Sequence, residues 1–142
     1  MSISTDPTTT STDPDQPSRT ASRVGLVISV LVGLFLLFDS VTKLLRLPYV
    51  VTATVQLGFP AYTVPIMGAL LLFGLVLYTV PRTSVFGAVL ITAYLGGAVC
   101  ANVRAEQPLF GYTLFPVYTA VLVWLGLYLR SAALRRLVRT GY

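Results

Sequence analysis

Residues 24–45 read VGLVISVLVGLFLLFDSVTKLL, a run that fits an α-helix whose surroundings are apolar nearly all round. Two charges interrupt it near its far end, Asp39 and Lys43. From Val24 to Asp39 the helix rises roughly 22 Å, which sets the carboxylate deep in a hydrocarbon layer about 30 Å thick. The acid precedes the base at i, i+4, so both side chains share one face one turn apart. An isolated charge at that depth costs roughly 2.5 to 3.5 kcal/mol on insertion scales, so Asp39 is expected to face the interior of a helix bundle.

Composition gives the same reading for the whole chain. Charged residues make up 11% and mean hydropathy is +0.79, whereas soluble domains carry about 25% charged residues. The net charge of +5 arises from Lys and Arg at the ends of apolar runs, a topology pattern and not a phosphate-binding stripe, so no nucleic-acid partner is expected. There is no histidine, and Cys100 is the sole cysteine. An internal disulfide, a CxxC relay, a His-ligated metal or haem and a Ser/His/Asp or Cys/His arrangement are all excluded, which inclines the reading away from an enzyme.

Taken in order, residues 1–20 are Ser, Thr, Pro and Asp and are expected to form a disordered cytoplasmic tail. A secretory signal peptide fits poorly, because the tail is long and the apolar run exceeds an h-region of about 15 residues. The domain predicted over 21–135 holds four apolar helices at about 24–45, 62–80, 85–103 and 114–130. Between the first two, Arg46-Leu47-Pro48 breaks the helix and 49–58 forms a short amphipathic connection. Pro60 and Pro65 suit the turn and opening of the second helix, and Ser84 is placed to cap the third. Residues 104–111 make the next polar break, and 136–142 form a basic cytoplasmic tail.

Short links between spans predict an all-α, membrane-embedded antiparallel four-helix bundle. With both termini inside, Arg19, Arg23, Arg82, Arg130, Arg135, Arg136 and Arg139 fall on the cytoplasmic side, against Arg46 and Arg104 outside with Lys43 at the outer end of its helix, which argues for N-in/C-in. That orientation gathers Asp39, Ser40, Lys43, Asn102, Arg104 and Glu106 towards the outer end as an intramembrane polar site, with Asp39 paired to Lys43, Arg104 or both. The cytoplasmic half is expected to hold no comparable polar set. On the third helix Thr92, Gly96 and Cys100 form one row of small residues and Ala93, Gly97 and Ala101 the next, read as a close-packing face with a ligand groove as the alternative. The tyrosines and Trp124 suit interfacial belts and bundle packing. No metal site is expected.

LFDSVTKLL in the first helix, VQLGFP before the second, VPRTSVFGAVLITAYLGGAV through the third and PLFGYTLFPVYTAVLVWLGLYLR at the end resemble the DoxX-like family of small four-helix membrane proteins over roughly 24–135. In that family the segment after GGAV commonly reaches a His; here the chain reads Cys100, Ala101, Asn102, and an amide cannot titrate near neutral pH. The resemblance implies membrane subunits linked to quinone-coupled oxidation, members of redox-stress complexes, or assembly factors. For this chain the leading expectation is a non-catalytic membrane subunit or assembly factor in a bacterial cytoplasmic membrane. The rivals are a quinone-binding accessory subunit of a redox complex and a small dimeric transporter. The expected partners are the lipid bilayer, a protein or redox subunit, and a second copy of the chain.

Overall fold

The computed structural model describes residues 18–141, so most of the tail expected over 1–20 lies outside the described residues. Arg19 and Thr20, the end of that tail, are already helical. Ser18 turns the chain and its hydroxyl accepts from the Ala21 amide at 3.2 Å, so α1 runs Arg19–Leu44. The remaining helices are α2 (Pro48–Gln56), α3 (Thr63–Thr79), α4 (Ser84–Arg104), α5 (Phe115–Arg130) and α6 (Ala132–Thr140), with one π-helical turn at Leu109–Thr113. The fold is all-helical, and no strand occurs among the described residues.

Three corrections to the linear reading have local causes. The connection at 49–58 is largely a helix, because Pro48 sits at its first turn, where a missing N–H leaves nothing unpaired. Ser84 is the first residue of α4 and not its cap; Thr83 precedes it, donating from its hydroxyl to the Leu77 carbonyl at 2.9 Å. The basic tail at 136–142 is mostly α6, capped by the Ser131 hydroxyl and closed by Gly141 at φ +60°.

α1 and α4 end alike. Arg46 and Glu106 adopt φ of 53° and 55°, and the amides of Leu47 and Gln107 return to the carbonyls of Thr42 and Asn102 at 3.2 and 3.0 Å. Each stop is followed by a proline, Pro48 or Pro108, then a short helical piece and a second long helix. Residues 19–130 therefore run as two similarly built halves, α1–α2–α3 and α4–π-turn–α5.

The long helices pack with α1 against α3 and α5, and α4 against the same two. Neighbours are antiparallel: Gly68 meets Ser40 and Lys43 while Tyr78, at the other end of α3, meets Ser29. The core between them holds Leu36, Leu71, Tyr78, Ile91, Val123 and Leu127, all essentially inaccessible. Outward faces stay apolar, with Leu31, Phe38, Leu70, Phe73 and Phe86 exposed. Arg19–Leu44, Ser84–Arg104 and Leu109–Arg130 are long and apolar enough to cross a membrane, and Thr63–Thr79 is a shorter apolar helix of 17 residues. Exposed apolar area on this scale fits contact with lipid acyl chains.

The half expected to hold no polar set comparable to that around Asp39 contains a buried node. Tyr78 donates to the Val123 carbonyl at 2.9 Å and lies 3.2 Å from the Ser29 hydroxyl, while Arg130 donates to the Tyr78 carbonyl at 2.8 Å and stands over its ring at 4.7 Å. One side chain thus joins α1, α3 and α5. Tyr78→Phe removes the donor and leaves a buried carbonyl short of a partner, and is expected to lower stability by about 1 to 2 kcal/mol in detergent melts.

Candidate functional site

Between the C-terminal halves of α1 and α4 and the N-terminal half of α3, and under α2, lies a cleft of about 570 Å³. This volume falls within the range of roughly 300 to 1,000 Å³ typical of small-molecule sites. Its walls are mostly apolar: Phe35 from α1, Val50 and Ala53 from α2, Met67 and Leu70 from α3, Ala93, Gly97, Ala98 and Ala101 from α4, and Phe115 from α5. Phe35 and Phe115 meet edge to face with centroids 5.5 Å apart and close one side.

Polarity enters at one wall. Asp39 and Lys43 both line the cleft and form an ion pair at 2.5 Å, the lysine side chain 13% exposed and the aspartate 34%. The pair is net neutral yet presents a cationic donor and an anionic acceptor side by side. Tyr94 enters from α4, half-buried, within electrostatic reach of Asp39 and without a hydrogen bond from its hydroxyl among the described residues. Tyr49 stands at the rim, largely exposed.

Of the six residues expected in the polar site, only Asp39 and Lys43 line the cleft. Ser40 is fully buried and donates to the Gly68 carbonyl at 2.9 Å, fastening α1 to α3. Asn102 donates to the Tyr112 carbonyl at 3.1 Å and holds the π-turn. Arg104 is not paired with Asp39: it donates to the Leu57 carbonyl at 3.3 Å, beside Gly58, whose φ of +88° is one that residues with a side chain rarely adopt. Glu106 is exposed at the left-handed stop of α4.

The small-residue face of α4 is also placed differently from the close-packing expectation. No neighbouring atom lies within 4 Å of a Cβ built on Gly96 or Gly97, and Ala93, Gly97 and Ala101 line the cleft. Thr92 accepts from the Trp124 indole N–H at 2.8 Å and links α4 to α5, and Cys100 is exposed. In the register fixed by the two left-handed stops, Gly97 and Ala101 stand where α1 carries Leu37 and Val41. The missing side chains account for an opening beside α4.

Residues that the linear reading missed are chiefly Tyr94, Tyr49 and the α2 wall. Tyr94 is one of eight tyrosines and sits in the ordinary apolar stretch ITAYLGG, so nothing in the sequence sets it apart. Compared with known proteins, the chain matches the DoxX-like family over residues 27–126. No curated protein and no solved structure matches it. The matched span runs from within α1 to within α5, takes in the cleft and its ion pair, and leaves α6 outside. With well over half of its length in that match, the chain belongs to the DoxX-like family.

Proposed function

We propose that this chain crosses a bacterial cytoplasmic membrane four times, as an antiparallel bundle with both termini inside, and acts as a non-catalytic membrane subunit or assembly factor that holds an amphiphile in its cleft. The proposed domain spans 21–135, followed by a basic cytoplasmic tail over 136–142. The fourth crossing is Thr63–Thr79, about 26 Å long at 1.5 Å per residue and free of charge, so a slightly thinned bilayer accommodates it. The arginine distribution supports the orientation, and the absence of histidine from the sequence supports a non-catalytic role.

The observation that carries the reading is the cleft: an apolar chamber with a neutral donor–acceptor pair on its wall. That lining favours a ligand with an apolar body and a head that both gives and accepts hydrogen bonds. Asp39, Lys43 and Tyr94 are the proposed head-group contacts. Native mass spectrometry of the protein gently extracted from its own membrane tests this. The wild type is expected to retain one amphiphile per chain, and Gly97→Leu, whose side chain grows into open space, to reduce occupancy about tenfold, the factor given by 1.4 kcal/mol of lost contact. A bare wild type, or equal occupancy in the variant, would overturn the reading. Recovery of a quinone with a redox subunit would replace it by the accessory-subunit role.

A further inference from the structure

α6 is built unlike the other helices. α5 ends at Arg130, Ser131 takes an extended conformation, and the chain restarts as AALRRLVRT. At about 100° per residue, Leu134, Leu137 and Val138 fall on one face, and Arg135, Arg136 and Arg139 on the other. Leu134 packs against the core of the long helices, whereas Leu137 and Val138 are 72% and 62% exposed. No Asp or Glu occurs anywhere after Glu106.

The end of the molecule from which α6 emerges is cationic beyond α6 itself. Gly25 lies against Leu129 and the Arg130 backbone, so the opening turns of α1, with Arg19 and Arg23, sit beside the end of α5. Arg82 lies in the turn between α3 and α4 at the same end, near the contact of Gly87 with Tyr78. Within α6 itself Arg136 and Arg139 are exposed, whereas Nη2 of Arg135 is buried and has no hydrogen-bond partner among the described residues.

We propose that α6 is an interfacial helix that binds anionic phospholipid headgroups. Leu137 and Val138 enter the acyl boundary, and Arg136 and Arg139, exposed on the opposite face, engage lipid phosphates. Charge complementarity selects this occupant: a face of arginines beside exposed leucine and valine, at the end of a span, meets a negatively charged leaflet. The proposal does not depend on the cleft, and α6 lies outside the family match.

Hydrogen exchange of the full chain in nanodiscs provides the test, comparing phosphatidylcholine alone with a mixture containing phosphatidylglycerol. Amides of 132–140 are expected to exchange on the order of tenfold more slowly in the anionic discs, an effect reversed by high salt. The triple variant Arg135→Gln/Arg136→Gln/Arg139→Gln should lose that difference while exchange in α1 and α5 stays as in the wild type. Equal exchange in both discs, or a triple variant that keeps the difference, would overturn the proposal. Slowing reproduced by inorganic phosphate in neutral discs would also overturn it, since the anion then need not be a lipid.

Discussion

Gly87→Ala is expected to lower stability by about 3 kcal/mol, the upper end of overpacking costs, while Gly97→Ala on the same helix leaves it unchanged or raises it by up to about 1 kcal/mol. A Cβ at Gly87 runs into the Tyr78 amide nitrogen, and would lie 2.6 Å from the Tyr78 Cα and 2.7 Å from the Gly74 carbonyl oxygen. These are backbone atoms of α3 and cannot swing aside. Tyr78 is further fixed by Val123, Ser29 and Arg130, so α3 and α4 must separate or the node must break. At Gly97 a Cβ meets nothing within 4 Å, and alanine gains helix propensity over glycine. Thermal unfolding of both variants in one detergent decides between them: equal melting temperatures would mean that α3 and α4 do not cross in close contact.

That contrast also measures how far the sequence can be read. The spacing of Gly96 and Gly97 within small-residue rows is a sound signal that bulk is missing from one face, yet it cannot say whether a neighbour or a void fills the space. Gly87 stands in SVFGAVL with no such row, and its close contact is visible only once Tyr78 is placed opposite. The apolar helices and the i, i+4 pair are legible because periodicity and charge are properties of a single segment. α2 is hidden because nine residues beginning with proline look like a link, and the partner of Arg104 is not legible because it depends on the path of a loop. The role of Tyr78 is hidden for the same reason, its partners lying 45 to 52 residues away.

The ion pair of α1 should show strong and unequal coupling. Lys43→Met is expected to cost about 2 kcal/mol, Asp39→Asn about 1 kcal/mol, and the double variant less than the sum by at least about 1 kcal/mol. The inequality follows from position. Lys43 is one residue from the end of α1, and its long stem lets an unpaired ammonium reach the interface. Asp39 lies a turn deeper with a short side chain, so an unpaired carboxylate stays in a largely apolar cleft. Its partial exposure keeps the cost of losing Lys43 below the roughly 3 to 5 kcal/mol of a fully buried broken pair. The double variant removes both charges and leaves an amide beside a thioether, which the cleft can accept at little expense. Chemical denaturation of the four proteins in one detergent gives the coupling directly, and strict additivity would show that the two residues, though adjacent, do not stabilise each other.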